Sequence, residues 1–89
     1  MSYQINFTKN ALQDLKDLKK SEPLTFKKLQ KLLFELLENP QAGTGKPELL
    51  KGLKNTYSRR INQKHRLVYQ INTDSSVFIL AAKGHYKDK

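Results

Sequence analysis

The chain of 89 residues sets 17 Lys and Arg against eight Asp and Glu, a formal charge of +9 with His counted as neutral. That balance favours polyanionic partners: nucleic acid, an acidic protein or an anionic membrane surface. With no Cys and two His, a disulfide framework and a thiolate metal site are excluded, and the case for any metal is weak.

The length suits one domain over residues 1–89 with a modest core. No apolar run approaches the roughly 20 residues of a membrane helix, and the N-terminus lacks a signal-peptide core. A soluble, cytoplasmic protein is expected.

Tyr3 to Phe7 alternates apolar and polar residues, which predicts a short strand with one buried face. Thr8 can cap a helix, its hydroxyl accepting from a free first-turn N–H. Ala11, Leu12, Leu15 and Leu18 then fall at helical spacing, and Lys19 and Lys20 load the end where positive charge suits the helix dipole. Ser21-Glu22-Pro23 predicts a second helix start, since proline is tolerated in a first turn. Phe26, Leu29, Leu33 and Leu36 step by three and four, widened by Leu32 and Leu37, until Asn39-Pro40 closes the helix. Both leucine stripes read as core, and the short join at Lys20 and Ser21 predicts a helical hairpin.

Gln41 to Pro47 reads as a loop. It is not a phosphate-binding P-loop, because Gly45-Lys46 is followed by Pro rather than Ser or Thr. Glu48 to Lys51 reads as a turn or one helical turn, and Gly52 and Asn55 mark a loop leading into strands. Three strand candidates follow, Thr56 to Ile61, His65 to Ile71 and Val77 to Lys83, separated by polar turns. The expected fold is α+β: a strand, a helical hairpin, then an antiparallel β-meander, with the helices on one sheet face.

Strand parity sorts the charges. Leu67, Tyr69 and Ile71 share the face under the helices, with Tyr57 and Ile61 of the preceding strand. Ser58, Arg60, Arg66, Val68 and Gln70 face outward, and Arg59 points to the helix side or the sheet edge, in a structural role. A three-residue turn sets Ile61 against His65 and Arg60 against Arg66. Two guanidiniums side by side repel unless an anion bridges them, and the planar fork of Arg suits phosphate oxygens. His65, at the strand entry on the inward parity, reads as structural. Parity cannot place His85 or Tyr86, which a bulge or strand end can turn toward the arginines.

Cleaving RNA without a metal requires a base for the 2′-hydroxyl, an acid for the 5′-leaving oxygen and cations for the developing phosphorane charge. Glu48 is a candidate base, His85 a candidate acid and Arg66 a candidate phosphate clamp, assisted by Arg60, Lys46 and Lys51. Tyr86 is placed to stack on a base or donate a hydrogen bond. The plainer alternative for Glu48 is a surface carboxylate paired with Lys46 or Lys51, and for His85 a solvated residue near the chain end.

The segments GKPELLKGL, YSRRINQKHRLVY and the closing GHY resemble the YoeB (Txe) branch of the RelE superfamily of bacterial toxins, across essentially the whole chain. The resemblance implies an mRNA interferase: a ribosome-dependent endoribonuclease that cuts mRNA in the ribosomal A site and is neutralised by an antitoxin. By the same resemblance Glu48 is the general base, Arg66 steadies the scissile phosphate, His85 is the general acid and Tyr86 assists. Lys51 and Arg60 match basic residues around that site. It further implies 2′,3′-cyclic or 3′-phosphate and 5′-hydroxyl ends, a homodimer, and an acidic antitoxin of the YefM (Phd-like) type. Departures are small: Tyr57 stands where Trp is usual, the Gly43-Thr44-Gly45 loop varies, and Lys87-Asp88-Lys89 extends beyond the His-Tyr end. The rival expectations are a non-catalytic basic module that blocks the ribosome, and a DNA-binding repressor, for which no recognition helix is visible.

Overall fold

A single threonine sets where the first strand stops and the first helix starts. Thr8 Oγ1 accepts the N–H of Ala11 at 3.0 Å, satisfying a first-turn donor, and donates to the Leu80 carbonyl at 3.1 Å. In the computed structural model, which describes residues 3–40, 47–50 and 52–84, this threonine links β1 (Gln4–Phe7) to α1 (Lys9–Ser21). There follow α2 (Pro23–Glu38), β2 (Glu48–Leu49), β3 (Thr56–Arg60), β4 (Arg66–Ile71) and β5 (Ser76–Ala81). The strands form one sheet in the order β1-β5-β4-β3-β2. The expected meander is present as antiparallel β3-β4-β5, while β1 runs parallel to β5 and makes the sheet mixed.

The helices bury their apolar stripes against the inward face of the sheet. Ala11 and Leu18 from α1, and Leu29, Leu32 and Leu36 from α2, join Ile61, Leu67, Tyr69, Val77 and Ile79 in the core. Leu12 departs from expectation: it is 47% exposed, because the α1 stripe runs through Ala11, Leu15 and Leu18 and turns the adjacent position toward solvent. Ser21 departs too. It ends α1, its Oγ donating to the Asp17 carbonyl at 2.7 Å, so Glu22 alone joins the helices.

The start of the region read as a turn or helical turn, Glu48–Leu49, is instead a strand. Glu48 and Leu49 pair antiparallel with Ser58 and Tyr57 and complete the β3 edge of the sheet. The last strand stops at Ala81, short of Lys83. It also carries a bulge: Tyr69 pairs with Ile79 but its neighbour Val68 pairs with Ala81, leaving Leu80 as the extra residue. Val77 and Ile79 therefore point into the core before the bulge and Ala82 points into it afterwards, so the single alternation expected to run through Lys83 is broken at Leu80.

Arg59 occupies the inward face, one of the two places its parity allows, and is fully buried. Its guanidinium donates to Glu35 Oε1 (Nη1, 3.0 Å), the Asn39 carbonyl (Nη2, 3.0 Å) and the Tyr69 hydroxyl (Nε, 3.0 Å). The Tyr69 hydroxyl donates in turn to the Pro40 carbonyl at 2.8 Å. Burial pushes the Tyr69 phenol above its ordinary value despite the opposing pull of Arg59, which keeps the proton that this bond requires. One buried cation thus ties β3 and β4 to the end of α2, where the chain leaves for β2.

Candidate active site

The outward face of β2, β3 and β4 gathers the charged residues. Glu48 stands opposite Ser58, and Arg60 stands opposite Arg66, the register that the three-residue turn predicts. The backbone closes that turn with the Ile61 N–H donating to the His65 carbonyl at 3.0 Å. Asn62 stiffens it, its Oδ1 accepting from the N–H groups of Lys64 and His65, both at 2.8 Å.

Arg66 is held at two points. Its Nε donates to Ser58 Oγ at 2.6 Å, and its Nη2 donates to Glu48 Oε1 at 3.0 Å. The Glu48 side chain is 68% exposed and that of Arg66 23%, so water screens the pair and it contributes at most about 1 kcal/mol to folding. The pair is therefore cheap to open. An incoming phosphate can take over the Arg66 donors and leave the Glu48 carboxylate ready to accept a proton. Glu48 pairs with Arg66, while Lys46 and Lys51, the partners named in the plainer reading, lie outside the described residues.

Arg60 is exposed at the end of β3, so a second cation borders the same patch. Ser58 was not singled out by the sequence, although its parity placed it on this face. Its hydroxyl is almost fully buried and locks the Arg66 side chain in one direction. The candidates His85 and Tyr86 lie outside the described residues. What is described is the approach to them: Gly84, at φ 80°, turns the chain in a left-handed conformation suited to glycine.

His65 is buried, in keeping with its structural assignment, and uses both ring nitrogens. Nε2 lies 2.9 Å from Glu22 Oε2, and Nδ1 accepts the Gly84 N–H at 2.7 Å. Because Nδ1 is an acceptor, the ring is the neutral Nε2–H tautomer donating to Glu22. That hydrogen bond is the main reason the Glu22 carboxyl sits below its ordinary value.

Known proteins share the sequence and fold of this chain. A family model described as the YoeB-like toxin of bacterial type II toxin–antitoxin systems matches residues 7–86. A YoeB toxin of Streptomyces coelicolor is 38% identical over 84 residues, covering 93% of this chain and 99% of the relative. Among solved structures, a YoeB dimer from Staphylococcus aureus superposes with a TM-score of 0.85 at 39% identity, covering 97% of this chain and 100% of that one. A YoeB–YefM complex from the same organism gives a TM-score of 0.82 at 39% identity, with the same coverage. No helix among the described residues is long and apolar enough to cross a membrane. The chain belongs to the YoeB-like family of toxins of bacterial type II toxin–antitoxin systems.

Proposed function

We propose that this toxin is a ribosome-dependent endoribonuclease, one catalytic domain over its whole length, that cleaves mRNA in the A site in the cytoplasm and so stops translation. The observation that carries the reading is the Glu48–Arg66 pair on the outward face of the sheet, with Arg60 opposite Arg66. Family membership supports it independently.

In this reading Glu48 takes the proton of the 2′-hydroxyl, and the 2′-oxygen attacks phosphorus. Arg66, assisted by Arg60, Lys46 and Lys51, carries the charge that develops on the phosphoryl oxygens. The bond to the 5′-oxygen breaks, and that oxygen leaves with a proton from His85, with Tyr86 assisting. The step ends with a 2′,3′-cyclic phosphate, a 5′-hydroxyl, a protonated Glu48 and a neutral His85. No metal enters the proposed step. The basic face also suits an acidic antitoxin of the YefM type, and the solved relatives supply the precedent of a dimer and of a toxin–antitoxin complex.

Mapping mRNA 5′ ends after brief expression tests the proposal. New 5′-hydroxyl termini at A-site positions are expected. Growth arrest without new termini would leave the alternative, a basic module that occupies the ribosome by charge and weakens steeply with salt.

A further inference from the structure

Gly84 is clamped through both of its backbone polar groups. Its N–H donates to His65 Nδ1 at 2.7 Å, and its carbonyl accepts the N–H of Arg66 at 3.0 Å. Adjacent residues of one strand entry therefore grip the residue that immediately precedes His85. The imidazole is fixed in turn from the far side: Glu22, the sole residue between the two helices, takes its Nε2–H at 2.9 Å. Glu22 also accepts from Thr25 Oγ1 at 3.3 Å, and Lys64 Nζ lies 3.7 Å from its Oε2. The helical hairpin, the β4 entry and the end of the chain thus meet at one buried ring that no step of the proposed reaction uses.

A ring holding a single N–H···N bond to a left-handed glycine does more than fill core volume. Gly84 takes the Arg66 N–H, so fixing Gly84 fixes the entry of β4, the strand that carries the phosphate clamp. We propose that His65 is a positioning residue: through Nδ1 it holds Gly84, whose carbonyl takes the Arg66 N–H, and so fixes the strand entry that carries the proposed phosphate clamp. The proposal deepens the nuclease reading and rests on it.

The test uses the full chain and ribosomes programmed with a defined mRNA, read as single-turnover cleavage with thermal unfolding in parallel. His65→Gln offers an amide near the Nε2 position but no acceptor at Nδ1, whereas His65→Asn offers an oxygen near Nδ1. H65Q is expected to slow cleavage by up to about 100-fold with little change in the half-saturating ribosome concentration, and H65N to recover most of that loss. In an Arg66→Ala background, H65Q is expected to cost nothing more, because the group it positions is gone.

Equal rates for H65Q and wild type, with R66A slow, would overturn the positioning role and leave the nuclease reading standing. A wild-type rate for R66A would instead remove the assigned clamp and both readings with it. Should either ring replacement unfold the chain, nitrogen NMR of the unsubstituted protein decides: the Nε2–H tautomer is expected, and a proton on Nδ1 overturns the proposal.

Discussion

Arg66 and Glu48 meet at 3.0 Å across the outward face of the sheet, while Ser58 fixes the other edge of the same guanidinium at 2.6 Å. The exposed side of this arrangement is exchangeable and the buried side is not. A phosphate can displace the carboxylate without moving the arginine, which is the rearrangement the proposed base requires.

Glu48→Gln keeps the shape of the pair but removes the proton acceptor. It is expected to slow cleavage by about 10²–10⁴-fold, with unfolding moved little because the pair is screened. Arg66→Lys, which keeps the charge but loses the fork, is expected to fall in rate as well. Single-turnover rates beside melting curves check both, and an unimpaired E48Q would remove Glu48 as base.

Ser58→Ala releases Arg66 Nε without touching either charge. The clamp then samples more directions, and a loss of up to about 100-fold in cleavage is expected from misplacement. Measured against ribosome concentration, the loss belongs in the maximal rate. A change confined to half-saturation would show that Ser58 serves binding alone.

Glu35→Ala leaves the Arg59 guanidinium buried beside β3 without its carboxylate. Removing one partner of a buried pair costs about 3–5 kcal/mol, and the partial exposure of Glu35 places this case at the lower end. For a domain of this size the melting temperature should fall by more than about 10 °C. A shift within a few degrees would show that the remaining contacts, those with Asn39 and Tyr69 among them, suffice to hold Arg59.

Two carboxyls make folding sensitive to acid. The His65 hydrogen bond holds Glu22 below its ordinary value of 4.5, and hydrogen bonds from Gln13 and then Lys83 lower Asp17 below 3.8. Each group protonates in the unfolded chain before it does so in the folded one. Their stabilisation is therefore complete above the ordinary carboxylate range, shrinks as pH falls below it, and is gone once the folded carboxyls are protonated. Melting temperature against pH should drop over that interval, and Glu22→Gln should flatten the drop. An identical profile for E22Q would show that the contact with His65 does not stabilise the fold.

Parity along β3 and β4, joined to a three-residue turn, was enough to oppose Arg60 to Arg66. It also turned Arg59 away from the outward face, which left the buried face and the sheet edge open to it; the structure takes the buried face. The helical hairpin was equally legible, because its leucines repeat over several turns. Glu48–Leu49 is too short to show any period, so its pairing with β3 could not be read. The Leu80 bulge depends on the partner strand, and the parallel seat of β1 on which strand closes the sheet. Leu12 lies one position off the buried stripe, a difference that helical spacing alone does not resolve. His65 was recognisable as structural, but its bond to Gly84 joins residues far apart in sequence and carries no local signal.

The most direct measurement combines purified protein, ribosomes and one mRNA with a defined A-site codon, and identifies the chemistry of both new ends. The account predicts a 2′,3′-cyclic or 3′-phosphate on one fragment and a 5′-hydroxyl on the other, formed by the wild type and only slowly by Glu48→Gln. Intact mRNA on a ribosome that the protein nevertheless occupies would contradict it.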